Sequence, residues 1–229
     1  MSDLVSSLVH PRNTVIFDLD GTLIDSVQGI TASMNTALRE MGRRPLDRTE
    51  VLPMIGDGGL HTVKLGLNAT GGSTGVDLDA VFARWTRAYT EDQVVKIEAY
   101  PRVLQTLELL TAEGLNLGLC TNKTRAVTMP ILAAAGLARF FDIVVTPEDT
   151  PFRKPDGRHI LATIAAMGAE PTRCAYVGDS EIDAAAAASA GIPFILVTYG
   201  YRRGPIAEIR ADALIDDFGD LPAALTRLS

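Results

Sequence analysis

The amino-acid sequence predicts an α/β fold in three layers. Helices cover both faces of a mostly parallel sheet, and an all-helical segment is inserted after the first strand. Short apolar runs rich in β-branched residues alternate with stretches of helical spacing, a pattern typical of βαβ units. This rhythm stops between about residues 27 and 97, where no convincing strand is found. Hydrophobic residues make up 47% of the chain and charged residues 21%, as in ordinary globular proteins.

Six apolar runs are the predicted strands. They lie at Thr14–Phe17, Leu115–Cys120, Ile143–Thr146, Ala175–Gly178, Phe194–Val197 and, more weakly, Ala213–Ile215. Stretches of helical spacing lie between them, for example from Val103, Val127 and Ile160. Right-handed crossovers are expected for such βαβ units. Because the strands are parallel, their carboxyl ends are expected at one edge of the sheet, where ligands bind.

The inserted segment has two predicted helical faces, one around Ile30 and Met34 and one around Trp85 and Tyr89. We therefore predict an α/β core and a helical cap domain joined by two hinges. The predicted boundaries are 1–26 and 98–229 for the core, 27–97 for the cap, and 25–27 and 98–101 for the hinges. The cap holds 8 basic and 8 acidic residues, so the core carries the whole net charge of −7.

Composition also excludes several classes of partner. The net charge of −7 and the pI near 5.0 disfavour nucleic acid, because nucleic-acid binders usually carry basic surfaces. Cys120 and Cys174 lie far apart in apolar runs and are interpreted as reduced residues. The chain shows no signal peptide and no window near the roughly 18 apolar residues of a membrane span. We expect a cytoplasmic protein without a membrane partner, monomeric or homodimeric.

Polar side chains follow the predicted strands at their carboxyl ends. They are Asp18 and Asp20 after the first strand, Thr121 and Asn122 after the second, Lys154 after the third, and Asp179 and Asp183 after the fourth. Carboxylates that converge on one site repel each other, and a hard divalent cation with oxygen ligands, typically Mg²⁺, relieves that repulsion. Because Lys154 and Thr121 face the same space, the pattern predicts a phosphate site that contains Mg²⁺.

Four motifs occur in order, each at a predicted strand end or adjoining loop. They are Asp18-Leu-Asp-Gly-Thr-Leu23, Thr121-Asn122, Lys154-Pro155 and Gly178-Asp179-Ser-Glu-Ile-Asp183. Through them the chain resembles the haloacid dehalogenase superfamily of aspartate-nucleophile phosphohydrolases, from about residue 13 onward. The resemblance implies a Rossmann-like core and identifies the helical insertion with the cap of that superfamily.

The resemblance assigns the two aspartates of the first motif separate tasks. It implies that Asp18 attacks phosphorus and becomes an aspartyl-phosphate, and that Asp20 protonates the leaving oxygen and then activates water. Similar dehalogenases lack the carboxylate of Asp20 and phosphonatases replace it, so phosphate-ester chemistry is implied here.

The remaining motifs are assigned to the phosphate and the metal. The resemblance implies that Thr121, the backbone of Asn122 and Lys154 contact the phosphoryl group. It further implies that the Mg²⁺ ligands are Asp18, the backbone carbonyl of Asp20, Asp179 and Asp183.

Within the superfamily, the chain is most similar to the phosphoglycolate phosphatases. The likeness rests on residues 24–26, 55–59 and 119–123. It implies 2-phosphoglycolate, a small anionic phosphoester, as the substrate, with Gly56, Asp57 and Gly58 as cap contacts. One position departs from the pattern: Gly157 stands where the Lys-Pro motif usually has a second proline, so the resemblance does not fix the loop after Lys154.

These residues also have purely structural interpretations. Asp18, Asp20 and Asp57 could form turns, and Thr121, Asn122, Asp179 and Asp183 could lie at helix starts. Trp85 and Tyr89 could pack within the cap. Lys154, Arg202 and Arg203 could be solvated loop residues. Functional alternatives are a phosphatase for a sugar phosphate, a nucleotide or pyrophosphate, a phosphosugar mutase, and a non-catalytic phosphate-binding module. Binding alone does not need a second carboxylate at position 20, which disfavours the last of these.

Overall fold

The fold is organised around a parallel sheet of six strands, described in a computed structural model that covers residues 12–228. The strands are β1 Thr14–Phe17, β2 Asn116–Cys120, β3 Ile143–Val145, β4 Cys174–Gly178, β5 Phe194–Val197 and β6 Ala213–Ile215. Their order across the sheet is β3-β2-β1-β4-β5-β6. The predicted strands are confirmed to within one residue at each end. Because the order reverses at β1, a crevice opens at the carboxyl ends of β1, β2 and β4.

The helices form two groups. Those of the segment between β1 and β2 are α1 Val27–Glu40, α2 Arg48–Val51, α3 Gly59–Ala69 and α4 Leu78–Ala88. Those that flank the sheet are α5 Val103–Ala112, α6 Arg125–Ala134, α7 Gly157–Ala166, α8 Glu181–Ala190 and α9 Leu221–Arg227. The alternation of side chains along β1 shows the two layers of core. Val15 and Phe17 pack into a large apolar cluster on one face, and Ile16 packs into a second cluster on the other face. The predicted three-layer α/β architecture is therefore confirmed.

Between β1 and β2, residues 27–97 form only helices and turns. Helix α4 packs against α1 and α3, and it continues into a short π-helical turn, Tyr89–Gln93. The two connections to the sheet run side by side, since the backbone N–H of Tyr100 donates to the carbonyl of Leu23 over 2.9 Å. That residues 27–97 act as a separate cap domain stays a prediction.

Gly157, the position that departs from the Lys-Pro motif, is the first residue of α7. It is buried against α8, and a Cβ atom built there would lie 2.9 Å from the carbonyl oxygen of Ala186 and in contact with the backbone nitrogen of Ala190. Because α8 is alanine-rich, its backbone approaches α7 closely. Any side chain at position 157 would push the two helices apart.

Two further expectations concern the cysteines and membranes. Cys120 and Cys174 are both buried and neither forms a disulfide within residues 12–228. No helix in the described part of the chain combines the length and apolar character needed to cross a membrane.

His159, in α7, makes the folded state sensitive to acid. The side chain is fully buried, and its two ring nitrogens have no hydrogen-bond partner among the described residues. Burial, with the nearby Lys154, lowers the pKa of His159 from 6.5 to about 4. The neutral ring is therefore favoured in the folded protein, while the unfolded chain binds a proton below about pH 6.5. This contribution to stability is present above that pH and declines as the pH falls toward 4.

We expect the free energy of unfolding to fall by roughly 2–3 kcal/mol between pH 7 and pH 4 from this residue alone. Urea unfolding of the wild type and of His159→Leu at both pH values measures it, because the variant lacks the titrating group. His61→Leu, at an exposed histidine of α3, is the matched control. Equal pH dependence in the wild type and His159→Leu would contradict the assignment.

Candidate active site

The end of β1 directs Asp18 toward the crevice. The backbone N–H of Asp18 still donates to the carbonyl of Val177 in β4 over 3.0 Å, and the chain then turns. Gly21 makes this turn with a φ of +82°, and a Cβ atom there would contact the carboxylate of Asp179. Only glycine permits both the backbone conformation and the close approach. The turn at Gly21 therefore lets the loop after β1 lie directly against Asp179, which follows β4.

Lys154 connects two of the predicted carboxylates. Its Nζ lies 2.7 Å from Asp18 Oδ1 and 2.7 Å from Asp183 Oδ1, and it also donates to the hydroxyl of Tyr176 over 2.9 Å. The side chain is 2% exposed. Burial alone would lower the pKa of Lys154, but Asp18 and then Asp183 raise it above its usual range. The solvated-loop interpretation of Lys154 is therefore wrong, and the residue is a buried cation.

Three buried carboxylates lie together at the crevice. One oxygen each from Asp18, Asp179 and Asp183 falls within 4.8 Å of the others. Burial raises the pKa of Asp18 from 3.8 to about 7 against the opposing charge of Lys154, and burial with the charges of Asp183 and Asp18 raises the pKa of Asp179 well above its usual range.

The site therefore carries more negative charge than Lys154 neutralises. Asp183 is the exception in direction, because Lys154 and the hydroxyl of Ser180 outweigh burial and lower its pKa. An all-oxygen donor set with unrelieved repulsion fits a hard divalent cation such as Mg²⁺.

The carboxylate of Asp20 points elsewhere. Both of its oxygens accept hydrogen bonds from the Nζ of Lys123, at 2.9 and 2.8 Å, and Oδ1 also accepts from the hydroxyl of Ser26. The carboxylate of Asp20 is therefore not part of the cluster formed by Asp18, Asp179 and Asp183. Its backbone carbonyl remains the predicted metal ligand.

The loop after β2 places Thr121 and Asn122 at the same crevice. The Oδ1 of Asn122 accepts from the backbone N–H of Lys154 over 3.0 Å, and Nδ2 donates to the carbonyl of Lys154 over 2.9 Å. Asn122 therefore fixes the backbone of the Lys154 loop. The interpretation of Thr121 and Asn122 as a helix N-cap is wrong, since Thr124 holds the N-cap position of α6.

The glycine-rich loop of residues 55–58 lies over this crevice. Gly56 and Gly58 adopt φ angles of +122° and +94°, and the carbonyl of Gly56 accepts from Asn122 Nδ2 over 2.8 Å. Asp57 forms an ion pair with Arg203, whose Nε also donates to the carbonyl of Pro53 over 2.9 Å. Arg203 is an exposed loop residue, as its solvated-loop interpretation expects, and its side chain also ties the loop of residues 55–58 to the core. Asp57 is committed to that contact.

The cleft between the loop and the sheet has two different walls. The sheet side contributes Asp18, Asp20, Lys123, Lys154, Asp179 and Asp183. The side formed by residues 27–97 contributes Ile30, Ile55, Gly56, Gly58, Gly59, Thr62 and Trp85, all uncharged. A ligand in this cleft therefore meets its charged partners on the sheet side.

Four residues contact the site without having been assigned a role there from the sequence: Lys123, Tyr176, Tyr201 and Arg203. The backbone N–H of Tyr201 donates to Asp179 Oδ2 over 2.5 Å, and its hydroxyl accepts from the backbone N–H of Ser26 over 2.7 Å. Only Lys123 carried a usable signal, since it directly follows Thr121-Asn122 at a strand end. Tyr176, inside β4, reads as a core residue, and Tyr201 and Arg203 lie in a loop after β5.

Comparisons with known proteins agree with this geometry. A family model described as haloacid dehalogenase-like hydrolase matches residues 15–197. The chain is 36% identical over 212 residues to a phosphoglycolate phosphatase of Agrobacterium fabrum, covering 92% of this chain and 91% of that protein. It is 38% identical over 215 residues to a phosphoglycolate phosphatase of Cereibacter sphaeroides, covering 93% and 98%. The crystal structure of a predicted phosphoglycolate phosphatase from Haemophilus somnus superposes with a TM-score of 0.89 at 29% identity, covering 94% and 98%.

Proposed function

The chain belongs to the haloacid dehalogenase-like hydrolase family, and we propose that it is a Mg²⁺-dependent phosphatase that hydrolyses 2-phosphoglycolate through an aspartyl-phosphate on Asp18. The observation that carries the proposal is the buried group of Asp18, Asp179 and Asp183 around the single ammonium of Lys154. A divalent cation would offset the negative charge that Lys154 leaves on these carboxylates, and it would also give the phosphoryl oxygens a positive partner.

The residues that would hold the metal are Asp18, Asp179, Asp183 and the backbone carbonyl of Asp20. When bound there, Mg²⁺ supplies positive charge that stabilises the phosphoryl oxygens during transfer. Tyr201 and Thr22 support this arrangement, because their donors hold the two carboxylate oxygens of Asp179 in place. The fixed carboxylate is ready to bind without reorganisation.

In the first step, a carboxylate oxygen of Asp18 attacks phosphorus. The new O–P bond forms as the ester P–O bond breaks, and the bonding electron pair leaves with the ester oxygen. Asp20 gives its proton to that oxygen, so the alcohol departs neutral and Asp20 is left ionised. Lys154, 2.7 Å from Asp18 Oδ1, neutralises charge where nucleophile and phosphate meet.

In the second step, water attacks phosphorus of the aspartyl-phosphate. Asp20 takes a proton from the water as the new O–P bond forms, and the bond between phosphorus and Asp18 breaks. The electron pair returns to the Asp18 carboxylate, and inorganic phosphate is released. Both aspartates regain their starting protonation states, so the cycle closes.

The choice of 2-phosphoglycolate is supported by the names of the relatives and by the cleft. The cleft wall from residues 27–97 is uncharged and close to the nucleophile, which suits a small leaving group.

Phosphate release from a panel of esters, with Mg²⁺ and with EDTA, tests the function. We expect 2-phosphoglycolate to be hydrolysed with a kcat/KM at least about ten times that of sugar phosphates, nucleotides and pyrophosphate, and EDTA to abolish release. Asp18→Asn, purified in parallel, is the control for contaminating phosphatases.

The outcomes separate the alternatives. Metal-dependent release that prefers another ester would keep the chemistry and reject the substrate. An isomerised product from a sugar phosphate, without free phosphate, would favour a mutase. Absence of release from every ester, by folded protein whose melting temperature rises with Mg²⁺, would contradict the phosphatase.

A further inference from the structure

Lys123 is a buried cation to which the proposed reaction steps assign no role. Its ammonium lies 2.9 and 2.8 Å from the two oxygens of Asp20. The Lys123 and Asp20 side chains are only 8% and 14% exposed. A buried pair in this geometry orients a carboxylate far better than an exposed pair does.

The backbone around Lys123 is fixed by its neighbours. Its N–H donates to Thr121 Oγ1 over 3.2 Å, and its carbonyl accepts from Thr128 Oγ1 over 3.3 Å. On the other side of the carboxylate, the hydroxyl of Ser26 donates to Asp20 Oδ1. Asp20 is therefore held from two directions, by the loop after β2 and by the residue that precedes α1.

Residues 27–97 contribute the remaining contact. The ring of Tyr89, at the start of the π-helical turn, lies beneath the ammonium of Lys123, with 4.8 Å between Nζ and the ring centroid. Tyr89 is fully buried and stacks on Trp85, with ring centroids 5.5 Å apart. A cation held over an aromatic face is attracted to it, more strongly where water is excluded.

We propose that Lys123 is a positioning residue for Asp20, and that Tyr89 completes this arrangement from the predicted cap. The acid–base carboxylate is then held in its working orientation when residues 27–97 lie against the sheet. This inference rests on the proposed function, because it assigns Lys123 to the proton transfer of a phosphatase. The proposed role differs from a second role, in which Lys123 would bind the phosphate directly.

The leaving group distinguishes these two roles. The value of kcat/KM reports the steps up to departure of the leaving group, and an alkoxide needs the proton of Asp20 while 4-nitrophenolate does not. Loss of a residue that only positions Asp20 should therefore lower kcat/KM for alkyl esters and not for the aryl ester. Loss of a residue that binds phosphate should lower kcat/KM equally for all esters.

The experiment compares glycerol 2-phosphate with 4-nitrophenyl phosphate, neither of which carries a carboxylate. We expect Lys123→Met to lower kcat/KM about 100-fold or more for the alkyl ester and less than about 10-fold for the aryl ester. Lys123→Arg keeps the charge and is expected to recover part of the loss for the alkyl ester. Wild-type turnover of the two esters establishes the phosphatase independently of the variants.

Tyr89 tests the contribution of residues 27–97. Tyr89→Leu, which removes the ring, is expected to show the same selective loss at about 10-fold, and Tyr89→Phe, which keeps the ring, a smaller one.

Equal losses for both esters in Lys123→Met, or a change below 2-fold for the alkyl ester, would overturn the positioning role. A selective loss in Lys123→Met with none in Tyr89→Leu would overturn the part played by Tyr89. If Lys123→Met does not fold, Lys123→Arg and the Tyr89 pair decide the question by the same ratio.

Discussion

Asp18→Asn is expected to lower kcat by on the order of 10⁴-fold or more, since the amide cannot attack phosphorus and form the intermediate. The substitution is nearly isosteric. It also removes one charge from a group of carboxylates in which burial, and then the charges of Asp183 and Asp18, raise the pKa of Asp179. We therefore expect the variant to fold with a melting temperature equal to or above that of the wild type. Steady-state turnover of 2-phosphoglycolate and a thermal melt measure the two effects.

The matched control for Asp18→Asn is Asp149→Asn. Asp149 lies after β3 and pairs with Arg125 outside the cleft, so turnover is expected to stay within about 2-fold of the wild type. Turnover in Asp18→Asn at a tenth of the wild-type rate or above would contradict the nucleophile assignment.

Lys154→Met is expected to reduce both activity and stability. The lysine is the buried cation between Asp18 and Asp183, and its removal leaves these carboxylates without their cationic partner. Breaking a buried pair in this way costs roughly 3–5 kcal/mol of the free energy of unfolding. We expect kcat to fall at least about 10²–10³-fold as well, because the charge beside the attacking oxygen is lost.

Urea unfolding and phosphate release, each with Mg²⁺ and with EDTA, measure this prediction. The loss of stability in Lys154→Met is expected to be smaller with Mg²⁺, since the cation replaces part of the missing positive charge. Arg153→Met, at the exposed neighbouring position, is the control for a change of charge in the same loop. Stability within about 1 kcal/mol of the wild type in EDTA would show that Lys154 does not hold the carboxylates together.

The fold was predictable because its strands are apolar runs that end in polar residues. The limits of β1, Thr14–Phe17, were predicted correctly, since Asp18 follows the run directly. The approach of Asp18 to Asp179 was predictable for the same reason, because parallel strands bring their carboxyl ends to one edge. The roles of the two aspartates in the first motif required the family resemblance, since spacing alone does not separate a nucleophile from an acid.

The contacts made across the cleft could not be predicted from local pattern. The position of Tyr89 beneath Lys123 depends on how residues 27–97 fold back over the sheet, and no sequence period records that placement. The contact of Arg203 with Asp57 joins residues 146 positions apart, and two charges on separate loops look solvated when each loop is considered alone. Gly157 is explained only by the close approach of the α8 backbone.

The measurement that tests the central claim most directly is chemical trapping of the intermediate. Wild-type protein is mixed with ³²P-labelled 2-phosphoglycolate and Mg²⁺, quenched in acid within milliseconds, digested, and its labelled peptide identified by mass spectrometry. The account predicts an acid-stable, hydroxylamine-labile phosphoryl group on Asp18, and no label on the Asp18→Asn protein. Release of phosphate at full rate without a label on Asp18, or with the label on another residue, would contradict it.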